Sequence, residues 1–261
     1  MLPLIDKPAI HYVVEEAINS GIDDILIITG RGKRAIEDYF DHAPELEFHL
    51  ERTGKMSQLS NLKKISSIEN IHFIRQKEPR GLGDAIGIAE KHIGDEPFAV
   101  LLGDDILRDT IPCTQQLIDI YKKKAGSVIA VQPVPQEKIR SYGIIKGGYT
   151  DSNVLLLEDI IEKPEPENAP SDLGAIGRYI FTPDIFNYIK KTPVGVSNEL
   201  QLTDAIRLLC KEKNVFAYVY PGKRYDTGDK LGYLETIVDF ALADPEIGEK
   251  FMNHLKRIRL S

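Results

Sequence analysis

The 261-residue chain is 42% hydrophobic and 28% charged, a globular composition with enough apolar residues for one large domain or two small ones. Its net charge of −7 excludes general nucleic-acid binding, which needs a basic footprint, yet allows an anionic small substrate, because a few cations can focus a local positive field. No stretch reaches the length of a membrane span, the opening residues 1–7 have no signal-peptide layout, and Cys113 and Cys210 read as small buried residues of a reducing cytoplasm.

In chain order, Pro8–Ser20 reads as a helix with proline near its start and Gly21 just past its end. Asp24–Thr29 is a strand and Lys33–Phe40 a helix. The charged stretch Ala43–Ser67 forms one or two helices over a sheet edge. Ile71–Arg75 is a strand, Asp84–His92 a helix, and Phe98–Leu102 an apolar strand of the kind buried on both faces of a parallel sheet. A helix over Thr114–Lys124 and a strand over Ser127–Val131 follow. After Pro133 the pattern changes: Gly143–Tyr149 and Val154–Ile161 make an antiparallel excursion with Gly147-Gly148 near its turn. Pro164–Pro170 is a surface loop, Ala175–Phe181 a strand, and Pro183–Lys190 and Leu202–Lys211 are helices. Val215–Tyr220 ends the sheet, and Leu231–Leu242 and Ile247–Ile258 close the chain as amphipathic helices. The basic face of the last helix reads as solvated, or as a surface for self-association in a homo-oligomer. The whole is one α/β domain, residues 1–261, with a β-rich substrate lobe inserted over roughly 134–175.

Three segments carry chemistry. Gly103-Asp104-Asp105 follows an apolar strand, where ligands of open α/β sheets bind; its adjacent carboxylates suit a hard cation such as Mg2+, or simply a turn. Asp226, in Tyr225-Asp226-Thr227-Gly228-Asp229, lies beyond another strand end and could complete a two-carboxylate clamp, while Asp229 caps the next helix. Glu162-Lys163-Pro164 sits at a strand tip, offering a carboxylate to sugar hydroxyls and a point charge to a phosphate, or a solvated ion pair. Upstream, Gln76 precedes a glycine-rich turn, Arg80-Gly81-Leu82-Gly83, whose spacing is not that of a dinucleotide fingerprint; Gln76 has both a donor and an acceptor for a pyrimidine edge. The six histidines show no ligand spacing, and no Gly-x-Ser-x-Gly elbow is present, which favours direct transfer over covalent catalysis.

These motifs, in this order, resemble the sugar-phosphate nucleotidylyltransferases, most closely the bacterial-type UTP–glucose-1-phosphate uridylyltransferases. The carrying segments are residues 1–8, Gln76 with Gly81-Leu82-Gly83, Leu102–Asp105, Tyr142-Gly143-Ile144, Glu162-Lys163-Pro164, Gly174–Tyr179, Glu199–Ala205 and Tyr225–Gly228, and they span nearly the whole chain. The resemblance implies a Rossmann-like mixed, mostly parallel sheet flanked by helices. It implies uridylyl transfer from UTP to glucose 1-phosphate by in-line attack, in the cytoplasm. It assigns uracil recognition to Gln76 and Gly81, Mg2+ to Asp104 and Asp226, glucose contacts to Tyr142, Gly143, Glu162 and Ala175, and the sugar phosphate to Lys163. Two departures are Asp84, where relatives often carry His, and Gly103, where they often carry Pro; neither touches a proposed ligand. Family members also open with a strand and a glycine-rich loop bearing an arginine and a lysine, whereas this chain opens at the segment that normally follows. A misassigned start codon or a trimmed record is the expectation, rather than a natural truncation, because without that segment strands Asp24–Thr29 and Phe98–Leu102 would be left with unpaired edges and the chain as given would lack donors to the triphosphate. The competing readings are a thymidylyl or other sugar nucleotidylyltransferase, and a catalytically silent binding or assembly subunit.

Overall fold

The computed structural model describes residues 1–68, 70–195 and 198–258. A two-strand hairpin, β1 (Pro3–Leu4) and β2 (Lys7–Pro8), leads into α1 (Ala9–Asn19), which begins where Pro8 leaves the extended region. Then come β3 (Ile25–Thr29), α2 (Arg34–Phe40), α3 (Pro44–Arg52), α4 (Met56–Ser66), β4 (Ile71–Arg75), α5 (Leu82–Gly87), α6 (Glu90–Ile93), β5 (Phe98–Leu101) and β6 (Asp105–Arg108). The second half holds α7 (Cys113–Lys124), β7 (Ser127–Pro133), β8 (Gly143–Asp151), β9 (Val154–Glu162), β10 (Leu173–Phe181), α8 (Ile185–Lys191), α9 (Leu202–Leu209), β11 (Val215–Val219), β12 (Lys223–Asp226), α10 (Lys230–Ala243) and α11 (Gly248–Arg257). No helix among the described residues is long and apolar enough to cross a membrane.

The principal sheet runs β5-β10-β7-β11-β9-β8. Alternation along β7 divides its core: Ile129 and Val131 pack with α8 and α9, through Ile185, Phe186 and Ile206, while Val128 and Ala130 face Leu117 and Cys113 of α7. The mixed α/β architecture is as expected, but parallel pairing is confined to β7–β11 and β3–β4; the other ladders are antiparallel. The reason is β10, which returns antiparallel between β5 and β7 and separates two strands expected to lie in one parallel run.

Other details also depart from expectation. β11 does not end the sheet but lies inside it, between β7 and β9. The excursion β8–β9 joins this same sheet, and its turn falls at Ser152-Asn153 rather than at Gly147-Gly148. Gly147 instead marks a register shift within β8, where a Cβ would lie 2.4 Å from the Leu156 carbonyl oxygen. The helix expected over Asp84–His92 is broken into α5 and α6.

β3 pairs only with β4, and β5 only with β10, among the described residues. Between them lies a cavity of about 710 Å³, lined by Val13, Val14, Ile25, Ile27, Phe98 and Val100 among others. This open edge explains why every residue of β5 is only half-buried, where its sequence predicts burial on both faces.

Arg178 of β10 is fully buried and pairs with Glu16 of α1, itself 6% exposed at the side chain. Its Nε donates to both Glu16 oxygens (3.2 and 3.1 Å), and Nη2 donates to Oε2 (2.9 Å). The remaining donors reach the carbonyl oxygens of Leu102 (3.1 Å), Asp105 (2.7 Å) and Gly177 (3.2 Å). Thr114 at the start of α7 donates its N–H and hydroxyl to Glu16 Oε1 (3.1 and 2.7 Å). Removing one partner strands the other charge in the core, so Arg178→Met is expected to destabilise the fold by about 3–5 kcal/mol in urea unfolding. A loss under about 1 kcal/mol, the level of a surface pair, would show that the network is dispensable.

Candidate active site

The turn after β5 is shaped by what Arg178 holds. With the carbonyls of Leu102 and Asp105 fixed from below, Asp105 turns inward and Asp104 outward. The two adjacent carboxylates therefore do not act as a pair. Asp105 is 5% exposed, and its Oδ1 accepts from Arg224 Nε at 2.5 Å. Burial raises its pKa to about 6, against the pull of the Arg224 charge. Gly177 (φ +71°) faces this turn, and a Cβ there would lie 2.6 Å from Asp105 Oδ2 and 3.0 Å from Leu102.

Asp226 is brought to Asp104 by a second ladder. β6 and β12 pair antiparallel with Asp105 opposite Asp226, and Thr227 donates both its N–H (2.9 Å) and its hydroxyl (2.8 Å) to the Asp104 carbonyl. Gly228 marks the space between the carboxylates: a Cβ there would lie 3.2 Å from Asp104 Oδ2 and 3.2 Å from Asp226 Oδ1. Two carboxylate oxygens, one from the turn after β5 and one from the end of β12, bordering a space kept open by a missing side chain, fit a hard divalent cation. Arg224, which the sequence reading did not single out, lies beneath them. It donates to Asp105, to the Tyr142 hydroxyl (2.9 Å) and to Asp226 Oδ2 (3.3 Å), and Tyr142 donates to the same Asp226 oxygen (3.1 Å). Asp229 caps α10 through the Leu231 N–H, as its sequence position predicts.

Tyr142 also leads to the strand-tip motif. Its carbonyl accepts from the Lys163 N–H at 3.0 Å, while Gly143 pairs with Glu162 across β8–β9. Glu162 Oε2 accepts from Thr203 at 2.6 Å, and its Oε1 lies 3.4 Å from Lys163 Nζ. Lys163 holds a left-handed backbone (φ +44°), uncommon for a side chain other than glycine or asparagine, which sets its direction after the strand. Ala175 lies at the start of the β10 irregularity, next to Gly174, where a Cβ would lie 3.0 Å from Val134 and 3.1 Å from Tyr142 Cβ.

The glycine-rich turn reaches the same group through Leu200. Gly83 N–H donates to the Leu200 carbonyl (2.8 Å), and Leu200 N–H donates to the Arg80 carbonyl (2.7 Å). A Cβ on Gly81 (φ +96°) would lie 2.7 Å from the Leu200 carbonyl oxygen, and one on Gly83 2.1 Å from a Leu200 methyl. Gln76 Nε2 donates to Asp84 at 2.7 Å, so Asp84, noted in the sequence only as a departure, orients the amide. With its donor committed to a carboxylate, Gln76 presents Oε1 as the free acceptor. Gln76 and Gly103, the residue before Asp104, line the same cavity.

The Gly177→Ala substitution tests the shaping of the turn. A left-handed backbone costs a non-glycine residue about 1–2 kcal/mol, and the new methyl displaces Asp105 besides. Urea unfolding is expected to register at least that loss, and an unchanged midpoint would mean that the turn yields freely.

The nucleotidyl transferase family model matches residues 1–241. A UTP–glucose-1-phosphate uridylyltransferase from Bacillus subtilis is 50% identical over 252 residues, 97% of this chain and 86% of that protein. A crystal structure of UDP-glucose pyrophosphorylase complexed with UDP-glucose superposes with TM-score 0.85 at 41% identity, covering 94% of this chain and 90% of that one. A UTP-bound UGPase from Acinetobacter baumannii does so with TM-score 0.91 at 34% identity, covering 99% and 91%. The chain belongs to the nucleotidyl transferase family, among the bacterial UTP–glucose-1-phosphate uridylyltransferases.

Proposed function

We propose that the chain transfers the uridylyl group of UTP to glucose 1-phosphate, giving UDP-glucose and pyrophosphate. The observation that carries this reading is the meeting of Asp104 and Asp226 at Gly228, one hydrogen bond from the Tyr142–Lys163 group. Asp104 and Asp226 would hold Mg2+, which when bound supplies charge neutralisation for the phosphates. Arg224 and Tyr142 engage one oxygen of Asp226, leaving Oδ1, which accepts only from the Gly228 N–H, facing the space. Lys163 places a point charge for the sugar phosphate, and Glu162, anchored by Thr203, accepts from sugar hydroxyls. Gly143 and Ala175 give the sugar room by the smallness of their side chains. At the other end, Gln76 offers Oε1 to a ring N–H of uracil, and Gly81 allows close backbone approach. With no nucleophilic residue assigned, the phosphate oxygen of the sugar attacks the α-phosphorus directly, and positioning with electrostatic stabilisation provides the rate.

The test is Mg2+-dependent release of pyrophosphate from UTP and glucose 1-phosphate, alongside UDP-glucose binding by calorimetry. Asp104→Ala is expected to lower kcat by about 10²-fold or more, the scale of losing one transition-state charge contact, with a much smaller effect on binding. Near-normal turnover at saturating Mg2+ would remove the metal assignment. A chain that binds UDP-glucose yet releases no pyrophosphate would be a silent binding subunit, and one that binds neither nucleotide would overturn the reading.

Asp84→Ala should loosen Gln76 without touching the phosphates. The expected result is a KM for UTP raised by roughly 5- to 10-fold at nearly constant kcat, the worth of one hydrogen bond to a charged group. A fall in kcat at unchanged KM would instead place Asp84 in the chemistry.

A further inference from the structure

Sequence spacing gave no reason to group any of the histidines, yet two of them meet in the fold. Asp24 immediately precedes β3, His72 is the second residue of β4, and His92 lies in α6. The Nε2 atoms of His92 and His72 lie 3.3 and 3.5 Å from the same oxygen, Asp24 Oδ1, and one ligand atom from each residue falls within 4.8 Å of the others. The two imidazole rings are 5.0 Å apart and tilted by 58°, so they converge without stacking.

We propose that Asp24, His72 and His92 form a second metal site, for Zn2+, distinct from the carboxylate pair. Ligands bound at about 2.0–2.1 Å in a tetrahedron are separated by about 3.3–3.4 Å, close to the spacing of both histidines from Asp24 Oδ1. Without a metal, His92 and Asp24 share a hydrogen bond at 3.3 Å, an arrangement that a cation between them would replace. Two imidazoles and one carboxylate are a donor set for borderline cations rather than for Mg2+ or Ca2+, which take oxygen. All three residues are exposed, so a cation reaches them directly, and a water completes the fourth position. β3 and β4 run in parallel toward Gln76, which puts His72 about 13 Å from it, at 3.3 Å per residue. The site is therefore at the opposite end of these strands from the nucleotide pocket. A cation there links the β3–β4 ladder to α6, just ahead of β5. It is a brace, with no part in the transfer reaction.

Calorimetry of the full chain with ZnCl2, in buffer containing millimolar Mg2+, decides the matter. The expected result is one Zn2+ per chain, weakened at least tenfold by His72→Ala, His92→Ala or Asp24→Ala, and unchanged by Asp104→Asn. Added Zn2+ should raise the melting temperature of the parent and not of the His72→Ala chain, and Co2+ in its place should give the visible absorption of a tetrahedral centre. Absence of one-equivalent binding, or binding that survives all three substitutions, would overturn the proposal, the latter identifying an adventitious ion on other side chains. Because the His72 and Asp24 side chains are exposed, the metal-free His72→Ala and Asp24→Ala chains should melt with the parent, which keeps loss of binding separate from loss of fold.

Discussion

Everything at the candidate site rests on one buried ion pair. Glu16 and Arg178 lie 162 residues apart in sequence, and taking both charges out of water costs several kcal/mol each. That cost is offset because Arg178 makes six hydrogen bonds and Glu16 also accepts two from Thr114. An apolar pair of equal volume could fill the same space and give equal or greater stability. It could not hold the Leu102 and Asp105 carbonyls, and those fix the direction in which Asp104 leaves the turn. The pair thus links the first helix, the start of α7 and the central strand β10 to the turn that carries Asp104 through main-chain atoms.

Above this foundation the site is assembled by close approaches. Arg224 collects Asp105, Asp226 and Tyr142 around one guanidinium, whose planar fork is suited to several fixed acceptors. From Tyr142 the main chain passes to Lys163 and Glu162, then through Thr203 and Leu200 to the glycine-rich turn and Gln76. The residues proposed to read base and sugar are therefore joined by direct contacts, although they come from separate stretches of the chain.

Much of this was legible in the sequence, for identifiable reasons. Apolar runs such as Val128–Val131 and Val215–Val219 announce strands, and Gly228, Asp229 and Pro164 announce their neighbours' turns and caps. The order of short motifs points to the family. Pairing was not legible: nothing in Leu173–Phe181 indicates that it returns antiparallel between β5 and β7, and a glycine pair reads as a turn even where Gly147 serves a bulge. Residues that act on other residues were also hidden. Arg178 stands inside the Gly174–Tyr179 motif, but its burial partner is in the first helix; Arg224, Thr203 and Asp84 have no spacing that distinguishes them from surface polar residues. The Asp24–His72–His92 group escaped for the same reason, since its members are joined only by the strands and helix that carry them.

The glycines of the two ends differ in what blocks a side chain, and this bears on how the site can change over evolutionary time. A Cβ on Gly81 would meet the Leu200 main chain at 2.7 Å, an obstacle that no substitution at position 200 removes, and Gly81 also needs its positive φ; Gly83 meets a Leu200 methyl first and the Leu200 carbonyl oxygen behind it at 2.8 Å. A Cβ on Gly143 would meet only side chains, Thr203 at 3.1 Å and Ile160 at 3.3 Å. Substitution at Gly143 is thus conditional on what stands at positions 203 and 160, whereas at Gly81 the main chain itself stands in the way. A lineage built on this scaffold can change the Gly143 end through paired substitutions, while the glycine-rich turn is held by the backbone.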